Sequence, residues 1–188
     1  MPTESLRVAY ADPIYLGNSR LYAHPHAAVW DDPKTHRRLI DTLMDEFPDG
    51  WALSLSVPSL RVILPMCPQD VRIGSWVKTF SAFKRGVRPA YAWEPVIYRG
   101  GRNPPRFRHL PPEKGGVQTT PKDFVACPIT LKKGLTGAKP LVFCNWVLDL
   151  LNVQSCDTVV DLFPGTGIME QATEARRALP VADTRVWL

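Results

Sequence analysis

The fold is decided by one stretch of the sequence, Asp157-Thr158-Val159-Val160-Asp161-Leu162-Phe163-Pro164-Gly165-Thr166-Gly167. Its first half is an apolar run of strand-forming residues, and its second half is a tight glycine turn. A helical segment follows, to about Leu179. Glycines at such a turn let a ligand approach the backbone, and the helix N-terminus points amide donors at it. The stretch therefore predicts a ligand site at the end of a strand; the alternative is a plain strand–turn–helix connection.

Strand-like and helix-like segments alternate over the rest of the chain. The sequence predicts strands at 6–11, 51–56, 71–80 and 93–98, and helices at 33–47, 58–66 and 140–151; residues 185–188 could begin one more strand. This alternation is typical of an α/β sheet with helices on its faces. Between residues 99 and 137 there is almost no periodicity, and the segment contains six prolines. So long a loop in a compact domain indicates either a functional loop or a disordered one.

Composition limits the class of protein. The chain has 188 residues, of which 45% are hydrophobic and 22% are charged, so we expect a single globular domain over residues 1–188. No apolar run approaches the roughly 18–20 residues of a membrane span. The N-terminal residues lack the layout of a signal peptide, so we expect a cytoplasmic protein. The four cysteines are scattered without a C-x-x-C pair, which favours free, mostly buried thiols over disulfides or a zinc site.

Positive charge is concentrated in the middle of the chain. Residues 78–139 contain 13 lysines and arginines against three acidic residues, a net charge of +10, whereas the remainder has a net charge of −5. A basic segment on an acidic remainder suggests a surface that faces a polyanion such as nucleic acid. A basic solvated loop without a partner is the alternative.

A second motif, Asp12-Pro13-Ile14-Tyr15, directly follows the first predicted strand. Its carboxylate can accept a hydrogen bond from an amino group, and a carbonyl held near the rigid proline can accept another. The tyrosine ring can stack on a planar ligand. These groups suit a planar ligand that carries an amine, although an ordinary turn would explain this motif taken alone.

Together the two motifs resemble the DNA amino-methyltransferases that use S-adenosylmethionine. The resemblance extends to Ala138-Lys139-Pro140, which matches a lysine-proline element of that family, and to residues 93–102, which look like a strand with a basic end in small bacteriophage members. The target-base motif precedes the cofactor motif, an order that resembles the β group of the family. The similarity covers most of residues 5–180 and implies a Rossmann-like methyltransferase sheet with helices on both faces.

The resemblance also implies a role for each matching residue. Asp12 would accept a hydrogen bond from the target amine, Pro13 would hold a carbonyl toward it, and Tyr15 would stack on a base flipped out of double-stranded DNA. Two groups of residues would bind the cofactor and the nucleic acid. The cofactor group is Asp161, Phe163, Pro164, Gly165 and Gly167, with Lys139 and Pro140 at the methionine end. The nucleic-acid group is Lys84, Arg85, Arg88, Arg99, Arg102, Arg106 and Arg108, with 102–137 as an irregular basic loop for target recognition.

Several alternatives stay open at this point. Adenine N6 is the first choice of target because the family's adenine enzymes favour aspartate at the first motif position; cytosine N4 and RNA are the others. Ile14 stands where the family usually has a second proline, so a catalytically degenerate module that binds DNA or a partner is the main rival. The small recognition loop is compatible with a homodimer or a partner subunit. The resemblance suggests a bacterial cell or a phage-infected host, as in restriction–modification.

Overall fold

The described part of the chain forms a mixed six-stranded sheet flanked by four α-helices. The computed structural model describes residues 4–80, 86–103, 121–130 and 137–178. The strands are β1 (Arg7–Ala11), β2 (Gly50–Ser54), β3 (Arg72–Lys78), β4 (Trp93–Gly100), β5 (Phe124–Cys127) and β6 (Thr158–Asp161). The helices are α1 (Pro33–Glu46), α2 (Val57–Ile63), α3 (Leu141–Leu150) and α4 (Ile168–Arg177).

The order of the strands brings distant parts of the sequence together. The sheet runs β5-β3-β4-β2-β1-β6, so β1 lies between β2 and β6 and is parallel to both. β4 runs antiparallel to its neighbours β2 and β3. The carboxyl ends of β1, β2 and β6 therefore share one edge of the sheet with the start of β4. We call this the site edge, because Asp12 and the glycine turn both leave the sheet there.

Each face of the sheet is covered by a pair of helices, because residues in a strand alternate between its two faces. Val8 and Tyr10 pack on one side with Phe143 of α3 and Met169 of α4. Ala9 and Ala11 pack on the other side with residues of α1 and α2, such as Leu43 and Ile63. The prediction of an α/β sheet with helices on both faces is therefore confirmed.

The structure corrects the sequence analysis in the long loop. Residues 124–127 form β5, which pairs in parallel with β3, so the prediction of an irregular segment over 102–137 is wrong at this strand. The strand has only four residues and lies between Pro121 and Pro128, which hides its periodicity. Its end is fixed by the indole of Trp76, which donates a hydrogen bond to the carbonyl of Cys127 (3.0 Å). The other parts of the loop, 104–120 and 131–136, lie outside the described residues, as do residues 185–188.

Two of the cysteines follow the prediction of buried thiols and two do not. Cys127 and Cys144 are buried in the core beside α3. Cys67 is half-buried at the margin of the core beside α2, and Cys156 is exposed in the turn before β6. Across the four described ranges, every helix is too short or too polar to cross a lipid bilayer.

Candidate active site

Asp12 is the first residue after β1, and its carboxylate is bound by Lys139. The Nζ atom of Lys139 lies 2.7 and 2.6 Å from the two carboxylate oxygens. The lysine side chain is 5% exposed and the aspartate side chain is 19% exposed, so this ion pair is largely withdrawn from water. Lys139 reaches Asp12 because it directly precedes Pro140, the N-cap residue of α3, and α3 packs against β1. Two motifs that are 127 residues apart in the sequence thus meet at the site edge.

The hydroxyl group of Tyr15 joins this pair to a second carboxylate, Glu94. The Oη atom of Tyr15 lies 3.1 Å from Asp12 Oδ1 and 2.9 Å from Glu94 Oε2. It also accepts a hydrogen bond from Lys139 Nζ at 3.0 Å. A tyrosine hydroxyl has a single hydrogen, so it can donate to only one of the two carboxylates at a time.

Lys78, at the end of β3, completes the arrangement. Its Nζ atom binds the other oxygen of Glu94, Oε1, at 2.5 Å. Lys139 Nζ lies 4.0 Å from Glu94 Oε2. We call these five residues the charge cluster: Asp12, Tyr15, Lys78, Glu94 and Lys139. With two carboxylates and two ammonium groups, the cluster is electrically balanced when all four groups are charged.

Burial and neighbouring charges shift the pKa values of the cluster. Burial raises the pKa of Asp12, and this effect exceeds the lowering by Lys139. Burial also acts to raise the pKa of Glu94, but Lys139 and Lys78 outweigh it and the pKa lies below its usual value. For Lys139, burial acts to lower the pKa, but Asp12 and Glu94 outweigh it and the pKa is raised. Lys139 therefore remains an ammonium ion near neutral pH.

The glycine turn lies beside Asp12, because the register of β1 and β6 pairs Tyr10 with Asp161. The carboxylate of Asp161 accepts a hydrogen bond from the amide of Phe163 at 3.0 Å, which closes the turn. Gly165 and Gly167 have φ angles of 49° and 74°, in the left-handed region that favours glycine. A Cβ atom added at Gly167 would meet no other atom within 4 Å, so its space is open.

This geometry fits a ligand held against the backbone. The open face of Gly167 and the start of α4 together leave room for close approach and supply amide donors. A cavity of about 240 Å³ lies alongside, with Asp161 and Pro164 in its wall. It is smaller than the roughly 300–1,000 Å³ of typical ligand pockets, so the glycine turn, rather than this cavity, identifies the candidate cofactor site.

The ring of Phe163 is less available to a cofactor than the family resemblance implies. Its ring packs edge-on against the ring of Trp30, with the ring centroids 5.2 Å apart. Trp30 is fixed in turn by His36, whose Nε2 atom lies 2.9 Å from the Trp30 carbonyl. The loop after the Asp12 motif therefore supports the glycine turn, a contact that the sequence analysis did not predict.

The structure divides the predicted nucleic-acid residues into three groups. Arg88 is exposed and lines a cavity of about 390 Å³ with Tyr91 and Trp93 next to the start of β4. Arg99 and Arg102 lie at the opposite edge of the sheet, since Arg99 is five residues beyond Glu94, or roughly 17 Å along the strand. The remaining four, Lys84, Arg85, Arg106 and Arg108, lie outside the described residues.

Arg99 and Arg102 both make contacts within the chain, and their assignment to nucleic acid stays a prediction. Arg99 binds both oxygens of Asp70 at 2.9 Å. Arg102 binds Asp157 and the carbonyl of Glu4, and its side chain is 17% exposed. Their positive charge hence does not contribute to the site edge.

Glu94 and Lys78 were not predicted as members of the site. From the sequence, Glu94 is equally compatible with a position bordering the active site and with a structural role beside Trp93. Lys78 gives no signal in the sequence, because its position depends on the antiparallel register of β3 and β4, which pairs Val77 with Trp93. A lysine at the end of one strand and a glutamate at the start of the next, antiparallel strand is the sequence pattern that would indicate such a pair.

Comparison with solved structures shows that the chain has the fold of DNA methyltransferases. PvuII DNA methyltransferase (cytosine-N4-specific) aligns with 94% of this chain and 73% of its own, with a TM-score of 0.57 and 12% identity. M1.HpyAVI in complex with S-adenosylmethionine aligns over 91% of this chain and 78% of its own, with a TM-score of 0.53 and 15% identity.

A third structure agrees with these two. TTHA0409 from Thermus thermophilus, provisionally assigned as a DNA modification methylase and complexed with S-adenosyl-L-methionine, aligns over 94% of this chain and 80% of its own, with a TM-score of 0.51 and 16% identity. At these identities the comparison establishes the fold. No protein-family model and no curated protein sequence matches the chain.

Proposed function

We propose that the protein is an S-adenosylmethionine-dependent methyltransferase that acts on the exocyclic amine of a DNA base, with adenine N6 as the first choice. The observation that carries this proposal is the position of Asp12. Its carboxylate is largely withdrawn from water, and its described partners are side chains; it directly follows β1, the strand beside β6 and its glycine turn. An acceptor for an amine and a cradle for a cofactor are thus adjacent on a fold shared with DNA methyltransferases.

The residues of the Asp12 motif position the amine. An exocyclic amine is a weak nucleophile because its lone pair is delocalised into the ring. The carboxylate of Asp12 and a carbonyl at Pro13 accept its two hydrogens, which favours a tetrahedral nitrogen whose lone pair points away from them. The ring of Tyr15 stacks on the base. Catalysis then consists of positioning and electrostatic stabilisation, with no covalent enzyme intermediate.

The glycine turn holds the methyl donor. Gly165 and Gly167 admit it close to the backbone, Asp161 and Pro164 form one wall, and the start of α4 provides amide donors. S-adenosylmethionine, when bound there, would supply an electrophilic methyl group on a sulfonium, and the other products of transfer to the amine would be a neutral thioether and one proton. Lys139 and Pro140 border this site from the start of α3.

DNA approaches the site edge with its target base flipped out of the duplex, since the amine is inaccessible inside the stack. Exposed Arg88, next to Tyr91 and Trp93, lies on this edge and contacts the DNA backbone. Binding through such contacts weakens steeply as salt rises. Steep salt dependence would also argue against a small-molecule substrate.

Cytosine N4 is the second candidate target. The structural neighbour with a TM-score of 0.57 is described as cytosine-N4-specific. Adenine N6 and cytosine N4 are both amines on a ring carbon beside a ring nitrogen, and the Asp12 carboxylate can accept from either one. The choice between them depends on the rest of the base pocket.

Nucleoside mass spectrometry tests the function and the target together. DNA is analysed from a host without its own adenine methylation that expresses the chain, its Asp12→Ala variant, or its Asp70→Ala variant. Asp70 is a suitable control because it is exposed and lies at the opposite edge with Arg99. We expect N6-methyladenine with the wild type and Asp70→Ala, and none with Asp12→Ala.

The other outcomes are also informative. N4-methylcytosine would preserve the mechanism and correct the base. Soluble protein that leaves DNA unmodified would reject the proposed activity and favour an RNA target or a module that only binds. Thermal unfolding with S-adenosylmethionine separates these two, because a ligand stabilises the folded state that binds it, whereas a degenerate module shows no shift.

A further inference from the structure

Asp12 faces a conflict in the structure. To serve as the acceptor for a base amine, its carboxylate needs an oxygen that points at the amine and carries negative charge. Lys139 instead spans both oxygens at 2.6 and 2.7 Å, and Tyr15 lies 3.1 Å from one of them. The ammonium group occupies the place of a donor and neutralises the charge that would polarise the amine.

Lys139 also opposes the methyl donor. The sulfonium that delivers the methyl group is a cation and must approach the same amine. Two positive charges next to one buried carboxylate repel each other strongly, because the site is poorly screened by water. Lys139 must therefore give up its contact with Asp12 before transfer, and because its side chain is 5% exposed, its charge must then be compensated by another carboxylate.

Glu94 is the carboxylate within reach. Its Oε2 atom lies 4.0 Å from Lys139 Nζ, so a shift of about 1 Å brings the two atoms into hydrogen-bond contact. Lys78 holds the other oxygen, Oε1, and leaves Oε2 directed at the centre of the charge cluster. Lys78 therefore fixes one oxygen of the Glu94 carboxylate, and the other oxygen can accept a hydrogen bond from Lys139 as well as from Tyr15.

Tyr15 couples the two carboxylates. Its hydroxyl lies within hydrogen-bond distance of Asp12, Glu94 and Lys139. While Lys139 neutralises Asp12, the single hydrogen is best donated to Glu94. When Lys139 moves to Glu94, the hydroxyl can rotate and donate its hydrogen to Asp12. Each carboxylate then keeps a hydrogen-bond donor in both arrangements.

From this geometry we propose that Glu94 is a positioning residue that receives Lys139 from Asp12 when a base amine binds, so that Asp12 is released to accept the amine. The inference rests on the proposed function and adds a residue from β4 to it. In the resting protein Lys139 keeps the buried Asp12 neutralised, and in the substrate complex Glu94 keeps Lys139 neutralised. The cluster stays balanced in both arrangements.

A crystal structure of the Asp12→Ala variant without DNA tests the movement directly. Removal of the Asp12 carboxylate imitates its engagement by substrate. We expect Lys139 Nζ to lie within about 3.2 Å of Glu94 Oε2. A Lys139 side chain that turns to solvent, or that stays 4 Å or more from Glu94, would overturn the proposal. If Asp12→Ala does not fold, the isosteric Asp12→Asn variant serves for the same measurement.

Kinetics of methyl transfer test the role in the reaction, with Glu94→Gln compared against Glu94→Asp. We expect Glu94→Gln to lower kcat by about tenfold or more, because a positioning interaction is lost in the transition state, with KM for S-adenosylmethionine changed by less than about twofold. Glu94→Asp keeps the charge and restores most of kcat. A purely structural glutamate would instead lower the unfolding temperature and leave kcat of the folded fraction unchanged, which would contradict the proposal.

A double variant identifies the route of the effect. If Glu94 acts through Lys139, then Glu94→Gln causes no further loss of kcat in a Lys139→Met background, whereas independent effects multiply.

Failure of the proposed function and failure of the proposed role of Glu94 can be distinguished. Wild-type protein that transfers no methyl group to DNA contradicts the proposed function, and the Asp12→Ala structure still decides whether Glu94 receives Lys139.

Discussion

Two carboxylates at opposite edges of the sheet, Asp12 and Asp157, are each paired with a basic side chain but are held in different ways. Asp157 is 1% exposed and accepts hydrogen bonds from the backbone amides of Leu6 and Gln154, at 2.8 and 2.7 Å, as well as from Arg102. The described partners of Asp12 are the side chains of Lys139 and Tyr15.

The difference indicates which ion pair is structural and which is functional. Backbone amides are fixed by the fold, so a carboxylate that they hold cannot change partners without local unfolding. A side chain can instead exchange one partner for another without local unfolding. Asp157 therefore ties the start of β1 to the turn before β6, whereas Asp12 can exchange its partners for a substrate. Counting backbone donors separates the two roles, whereas ion pairing alone does not.

The largest expected effect is on activity, from Asp12→Asn. The substitution preserves shape but removes the charge that polarises the amine. We expect methyl transfer to fall by about 10²–10⁴-fold, the range for loss of a positioned acid–base group. Transfer of radiolabelled methyl from S-adenosylmethionine to DNA measures it. A loss of less than about fivefold would place the amine acceptor elsewhere.

Asp157→Ala is expected to affect stability instead. It leaves Arg102 without its carboxylate and frees two backbone amides in a buried position, which costs about 3 kcal/mol of the free energy of unfolding. Denaturant unfolding measures this cost, with exposed Asp70→Ala as the control that changes stability by less than about 1 kcal/mol. If Asp157→Ala were as stable as the control, backbone donors would not distinguish the two carboxylates.

Gly167→Ala tests the glycine turn that follows β6, the strand next to β1. The left-handed backbone at this position costs an alanine about 1–2 kcal/mol, and the new methyl group occupies the open space where the cofactor is proposed to bind. We expect affinity for S-adenosylmethionine to fall about tenfold in calorimetric titration, about 1.4 kcal/mol of binding free energy.

Gly17→Ala is the matched control for backbone strain. Gly17 has a φ angle of 82° and, like Gly167, open space around an added Cβ atom, but it lies outside the glycine turn. It should lose similar stability while binding the cofactor like the wild type. Equal losses of affinity in both variants would show that strain, rather than occupancy of the site, is responsible.

The pH dependence of transfer gives the smallest expected effect. The ionised form of Asp12 accepts the amine, so activity falls as the pH decreases through the pKa of this group, which burial has raised. Lys139→Met removes a neighbour that lowers this pKa. The acidic limb of the kcat/KM profile should accordingly move to higher pH in that variant. A limb that stays in place would show that a group other than Asp12 titrates there.

The sequence contained enough information for most of the fold but for only part of the site. Strands and helices with clear periodicity, from β1 to β4 and from α3 to α4, were predicted because their apolar residues repeat locally. β5 was missed because four residues between prolines carry too little pattern, and its existence depends on pairing with β3.

In the site, Asp12, Tyr15 and Lys139 belong to motifs and were predicted, although the contact of Lys139 with Asp12 was not. Glu94 and Lys78 were not placed in the site, and the assignment of Arg99 and Arg102 to DNA stays a prediction. The positions of all four residues depend on the direction and register of β3 and β4. An antiparallel β4 puts Glu94 at the site edge and the two arginines at the opposite one, and no local pattern shows strand direction.

The position of β1 between β2 and β6 has a consequence for how the protein is made. β2 follows β1 after about 40 residues, but Arg7 pairs with Thr158, so the other side of β1 stays unpaired until a much later part of the chain is made. Contacts between such distant residues make folding slow, and a nascent chain exposes an unpaired strand edge until they form. Among the described strands, β6 is the latest in the sequence and brings the glycine turn beside Asp12, so the candidate active site forms only once this long-range pairing is made.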